Sequence, residues 1–275
     1  MSACPLLLAA ALIAAPAFAQ DGAPVGIVAD PCVGAPVRPA SMLDYFRSLL
    51  AGKPVPPPAA DMAAYKAAQD AMKGRDWADL CHYRAENRKV AKLAPSGRRV
   101  VYMGDSITEA WGLADPEFFS AGRINRGISG QTTAQMLLRF QGDVIALQPA
   151  MVHIMAGTND IAGNTGPQTF GDVQNNIVAM VTLAKANHIR VVLASVPPAL
   201  KFPWRPALAP EPQVRAMNAW LKDYAAKVGA TYVDYHALLA TPEGAMQPAM
   251  TLDGVHPNAK GYAAIRALSA SVTAE

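Results

Sequence analysis

From Arg98 to the C-terminus, short apolar runs alternate with longer amphipathic stretches. The runs fall at Val100 to Met103, Met151 to Met155, Val191 to Ala194 and Thr231 to Val233, with a weaker one near Arg123 to Asn125. Most are apolar at successive rather than alternate positions, as expected of strands covered on both faces. Helical stretches lie between them near Thr132 to Leu147, Phe170 to Asn187 and Gln213 to Val228, and a last helix runs near Ala259 to Val272. This order predicts a mostly parallel sheet packed on both sides, a three-layer, flavodoxin-like α/β/α sandwich.

Upstream the pattern is different. Asp21 to Pro58 is rich in Pro, Gly and Ala, with one short helix expected from Ser41 to Ala51 and a stiff linker from Pro54 to Pro58. Two further helices are expected at Asp61 to Lys73 and Trp77 to Leu93, divided by Gly74. Two helices alone bury too little surface to be stable, so Trp77, Leu80 and Tyr83 are expected to pack on the sheet domain.

Met1 to Gln20 carries no Asp, Glu, Lys or Arg, and its apolar run from Leu6 to Ala15 is too short to span a bilayer. The run leads to Ala17-Phe18-Ala19, the small-x-small pattern of a signal-peptidase site. Three parts are therefore expected: a signal peptide over 1–19 cleaved after Ala19, a partly helical extension over 20–95, and a sheet domain over 96–275. The chain should be exported to the periplasm or medium, with no stable membrane anchor.

With 275 residues, 52% hydrophobic and 16% charged, the chain can build one sizeable core. A net charge of +3 without a Lys/Arg run argues against nucleic acid as a partner and for a small molecule. Cys4 would leave with the signal. The remaining Cys32 and Cys81 read either as one disulfide tying the extension down or as two buried thiols. No metal-ligand spacing appears, and no GxGxxG or GxxxxGK[ST] follows a strand, so neither metal nor organic cofactor is expected.

Four segments with chemical potential follow predicted strands or precede the last helix. Ser106, in Gly104-Asp105-Ser106, stands at the carboxyl edge of the first strand, where open α/β sheets place their sites. It is either a nucleophile or part of a helix cap. Gly130 can offer an unobstructed N-H to an oxyanion or simply make a turn before the cap Thr132, and Asn159 can donate its amide or fill a turn. His256 can accept a serine proton, with Asp253 three residues earlier to orient it, or both can belong to a polar helix start. His236 and His153 read as structural, and His82 and His188 as surface residues. Trp111, Phe202 and Trp204 are candidate pocket walls, the last two within the proline-rich loop Val196 to Pro212.

The joint pattern is more specific than its parts. Met103-Gly104-Asp105-Ser106-Ile107-Thr108, Gly127-Ile128-Ser129-Gly130, Gly157-Thr158-Asn159-Asp160 and Asp253-Gly254-Val255-His256-Pro257 resemble, in order, the blocks of the SGNH hydrolases, also called GDSL esterases. The resemblance implies a serine esterase with a Ser106, His256, Asp253 triad. It also implies an oxyanion hole made by the N-H groups of Ser106 and Gly130 and the amide of Asn159. Short-chain acyl or saccharide O-acetyl esters are the expected substrates, with a lysophospholipase, a thioesterase or a catalytically silent carbohydrate-binding domain as alternatives. A phosphate-binding loop at Gly127 to Thr133 is weakened by its lack of a Lys. Ile107 stands where the short family motif has Leu, a change that conserves volume.

Overall fold

The computed structural model describes residues 26–274, so the expected signal peptide, its cleavage point after Ala19 and Cys4 lie outside the described residues. Five strands form the sheet: β1 (Val100–Gly104), β2 (Arg123–Gly127), β3 (Met151–Met155), β4 (Arg190–Ala194) and β5 (Thr231–Val233). All pair in parallel in the order β2-β1-β3-β4-β5, with Tyr102 of β1 level with Asn125 on one side and His153 on the other. The expected flavodoxin-like sandwich is what the chain forms.

Side chains along each strand point alternately to the two faces, and each face has its own core. Val101, Met103, Val152, Ile154, Val191 and Leu193 meet α5 (Thr133–Asp143), α7 (Phe170–Ala186) and α8 (Glu211–Val228). Val100, Tyr102, Met151, Met155, Val192 and Ala194 meet α4 (Ser106–Ala114), α9 (Tyr235–Leu239) and α10 (Ala259–Val272). The helix after β1 thus lies on one face and the helix after β3 on the other. Where neighbouring strands send their connections to opposite faces, a crevice opens at their carboxyl ends. That crevice lies between β1 and β3.

The N-terminal region contributes α1 (Ala40–Leu50), α2 (Ala59–Lys73) and α3 (Arg84–Val90). Leu50 is buried in the same cluster as Tyr102, Ile107 and Trp111. The helix expected over Trp77 to Leu93 is shorter than its sequence suggested. The Asp76 carboxylate accepts the N-H groups of Leu80 (2.7 Å) and Cys81 (2.8 Å), and Asp79 adopts a φ of 53°, which holds this stretch in turns. Trp77 and Leu80 consequently remain 46% and 45% exposed and do not pack as expected. Tyr83 does: its hydroxyl donates to the Gly127 carbonyl at 2.6 Å, and the Arg126 guanidinium lies 4.5 Å from its ring centre. The Trp77 and Ala78 carbonyls add to the connection by accepting the amides of Gln135 (2.7 Å) and Gln131 (2.9 Å), and Ala78 is itself buried.

The chain divides into one unit ending at Gly34 and a second running from Ala35 to Glu275. Within the first, Asp30 accepts the Cys32 N-H at 3.0 Å. Cys32 and Cys81 are both disulfide-bonded. Among the described residues no helix is long and apolar enough to cross a membrane.

The site-bearing edge is packed at backbone contact. A Cβ on Gly127 would stand 2.2 Å from the Glu109 N and 2.7 Å from the Asp105 carbonyl oxygen, atoms that cannot swing aside. Gly127→Ala is expected to destabilise the fold by about 1–3 kcal/mol or more, as overpacking does. Thermal denaturation should show a clearly lower Tm, and an unchanged Tm would contradict this close approach.

Candidate active site

Three loops and one turn converge at the crevice. Asp105, at the end of β1, accepts the Ile107 N-H at 2.9 Å and so caps α4, which places Ser106 in its first turn. Ser106 Oγ lies 2.9 Å from His256 Nε2, and His256 Nδ1 lies 2.8 Å from Asp253 Oδ2. The other Asp253 oxygen accepts the N-H groups of Val255 (2.9 Å) and His256 (2.8 Å), so the turn that carries the histidine also orients its carboxylate. Asn258 caps α10 two residues later by accepting the N-H groups of Lys260 and Gly261.

The electrostatics follow from this row. Burial disfavours imidazolium at His256, but the Asp253 hydrogen bond and charge, with Asp105 adding to them, outweigh it and raise the pKa above its ordinary value. Burial likewise opposes ionisation of Asp253, yet the His256 hydrogen bond and charge and the two backbone N-H groups bring it down to about 2. The arrangement therefore holds a carboxylate against an imidazole that can take a proton from Ser106.

Gly130 sits after β2 with a φ of 80°, a conformation that favours glycine, and nothing lies within 4 Å of where a Cβ would stand. Thr132 and Gln135 form a capping box at α5, so the turn and the cap expected there are both present. Among the described residues the N-H groups of Ser106 and Gly130 are donated to no other group. Asn159, in the short α6 (Thr158–Ile161) after β3, is buried. Its amide donates to Asp105 Oδ2 at 3.2 Å and to the Gln131 carbonyl at 3.1 Å, and its oxygen accepts from Asn164 at 2.6 Å.

Ser106, Gly130, Asn159, Asp253 and His256 all line one cavity of about 610 Å³. Of the candidate walls only Trp204 joins them. It is 39% exposed, donates its indole N-H to Asn164 at 3.2 Å and has its ring 6.2 Å from that of His256. Phe202 does not line the cavity: it is buried behind Trp204, with the two rings stacked 5.1 Å apart. Trp111 is also a core residue, stacked on Phe118 at 5.1 Å and on Tyr262 at 5.9 Å. At about 100° per residue it lies roughly 140° around α4 from Ser106, on the face turned to the sheet. His153 is a core histidine 3.0 Å from the Tyr235 hydroxyl, and burial lowers its pKa to about 3. The N-H of His236 donates to Ser195, away from the cavity.

Several supporting residues went unnoticed in the sequence. Glu109 accepts the Ser129 N-H at 3.0 Å and the Ser129 hydroxyl, fixing the residue before Gly130, and pairs with Arg38 at 2.7 Å. Asp160 accepts the Thr133 N-H at 3.0 Å and its hydroxyl at 2.6 Å, joining the Asn159 turn to α5. Buried Arg139 donates to Gln131, Asp143 and the Gly104 carbonyl, bracing the ends of two loops at once. A signal for Glu109 was present, because Ser106, Glu109, Ala110 and Leu113 share the i, i+3, i+4, i+7 stripe of one helix face and all reach the cavity. Asp160 and Arg139 had none, since their partners are distant in sequence.

A serine hydroxyl, an imidazole and a carboxylate in hydrogen-bonded series, beside unspent N-H groups at a sheet's carboxyl edge, define a serine hydrolase. The chain belongs to the GDSL-like lipase/acylhydrolase family, whose sequence pattern matches residues 102–264. It is similar to a GDSL-like lipase from Bacteroides thetaiotaomicron, at 42% identity and a TM-score of 0.69, covering 72% of this chain and 98% of that one. It is also 26% identical to the esterase TesA of Pseudomonas aeruginosa over 176 residues, 59% of this chain and 81% of that enzyme. An acetylxylan esterase from Geobacillus stearothermophilus is 34% identical over 91 residues, 24% of this chain and 41% of the relative's length. The protein is accordingly a serine hydrolase acting on carboxylic ester bonds.

Since only neutral imidazole can accept the serine proton, the acid limb of kcat/KM is expected above the ordinary histidine value of about 6.5. Asp253→Asn removes the charge that raises His256, so the limb should move to lower pH while turnover falls. A pH profile of p-nitrophenyl butyrate hydrolysis for both proteins measures the displacement, and coincident limbs would dissociate Asp253 from His256.

Proposed function

We propose that the protein is an exported esterase that hydrolyses short-chain acyl esters, saccharide O-acetyl esters among them, through an acyl-enzyme on Ser106. The observation that carries this reading is the row from Ser106 Oγ through His256 to Asp253, with contacts of 2.9 and 2.8 Å. Ser106 Oγ attacks the ester carbonyl carbon as its proton passes to His256 Nε2. The carbonyl oxygen becomes an oxyanion and accepts from the N-H groups of Ser106 and Gly130. Asn159 joins them by exchanging one of its bonds, which at 3.1 and 3.2 Å are at the long end of the normal range. Collapse expels the alcohol, protonated by His256, and water activated by the same imidazole releases the acid.

The saccharide side of the reading is supported by the partial similarity to an acetylxylan esterase. Export is supported by the composition of Met1 to Ala19, and the disulfide-bonded state of Cys32 and Cys81 suits an oxidising compartment.

A fluorophosphonate probe is expected to label the protein at Ser106, and Ser106→Ala should lose both label and hydrolysis. Asn159→Ala should retain the label while turnover falls on the order of 100-fold to 1000-fold, the usual effect of removing one oxyanion donor. An unlabelled wild-type protein that still binds polysaccharide would replace this reading with a silent binding domain. Faster release from lysophosphatidylcholine than from p-nitrophenyl or xylan acetates would replace the substrate class. In a separate test, N-terminal sequencing of protein recovered from the cell envelope should begin at Gln20, and an intact Met1 would remove the export assignment.

A further inference from the structure

One wall of the cavity comes from α1, which lies outside the segment matched by the family. Phe46, Leu49 and Leu50 of α1 face Ala110 and Leu113 of α4 and Leu252, the residue before the triad carboxylate. The apolar surface begins at the nucleophile itself, because Ala110 and Leu113 continue the helical stripe of Ser106. The wall is anchored at both ends. Leu50 is buried in the sheet core, and Arg38, just ahead of α1, pairs with Glu109 at 2.7 Å and lies 5.6 Å from the Phe46 ring centre.

Size and continuity point to the occupant. A cavity of about 610 Å³ falls in the range that encloses a drug-sized ligand, and an acetyl group would leave most of it to water. Leu49, Leu50 and Leu252 also border a second hollow of about 460 Å³, so the two hollows share one apolar edge. The leaving alcohol must lie where His256 can protonate it, and the ring beside that imidazole is Trp204, 6.2 Å away, with its indole N-H donated to Asn164. The apolar track is left for the acyl chain.

We propose that α1 is the acyl-binding wall, and that it makes the enzyme prefer butyryl and hexanoyl esters to acetyl esters. This rests on Ser106 being the nucleophile, as proposed above. Each methylene laid on the track is removed from water, which is worth about fourfold in kcat/KM, the equivalent of about 0.8 kcal/mol. Acetyl esters remain substrates but leave the wall empty.

The test is a panel of p-nitrophenyl acetate, butyrate and hexanoate, run beside butyl and hexyl acetates that carry the same chains on the alcohol side. For the wild type, kcat/KM should rise by about fourfold per methylene along the acyl series and stay nearly flat along the alcohol series. In the double variant Phe46→Ala, Leu49→Ala the hexanoate-to-acetate ratio should fall by tenfold or more. In Leu49→Trp, which fills the track, the ratio should drop below one. Fluorophosphonate labelling of each variant verifies that its site is folded. A flat acyl series in the wild type, a rise on the alcohol side instead, or an unchanged ratio in labelled variants would each overturn the proposal. Failure of the wild type to label would instead overturn the assignment of Ser106, so the two readings fail separately.

Discussion

Everything in the site depends on β1 and β3 being neighbours whose following helices leave toward opposite faces of the sheet. No side chain has to hold such a crevice open, because the connections themselves part there. The Asp105 and Asn159 side chains close its floor, each issuing from the end of one of the two strands, with the amide nitrogen 3.2 Å from the carboxylate. Asp105 thereby does two jobs: one oxygen caps α4 and sets the pitch of Ser106, and the other steadies Asn159. Burial pushes its pKa up to about 6, while the Ile107 N-H and nearby His256 oppose the rise.

The strands were legible because a buried parallel strand must be apolar on both faces, which leaves a pattern that needs no partner to be read. The row from Ser106 to Asp253 left a trace in the sequence because Ser106 stands two residues past the end of β1, and Asp253 and His256 lie three residues apart just ahead of α10. What escaped were groups whose meaning comes from contacts across the fold. Asp160 and Arg139 look like ordinary charges until the Asn159 turn and the end of β1 are placed beside α5. Trp111 and Phe202 depart from expectation for the opposite reason. A large aromatic near a nucleophile suits a pocket wall and a core equally, and only the helical phase of Trp111 and the stacking order of Phe202 and Trp204 separate the two.

The turn-rich stretch from Gly74 to Tyr83 makes a related point about local competition. Good helix formers surround Asp76, yet its carboxylate offers two backbone N-H groups a nearer acceptor than the helix would, and the helix is deferred to Arg84. The carbonyls so exposed become the acceptors for Gln131 and Gln135, beside the loop that carries Gly130.

Arg126 ties the segment matched by the family pattern to residues that precede it. It is fully buried, and its guanidinium is met by Glu86 and Asn87, both upstream of the first residue the family pattern recognises. A chain trimmed to that pattern would keep the cation and lose these two partners, together with the Tyr83 ring 4.5 Å from the guanidinium, so the groups that cover Arg126 would go with them. It would also start inside β1, without Val100 and Val101. Transplanting the family segment into another protein therefore means carrying its α3 with it.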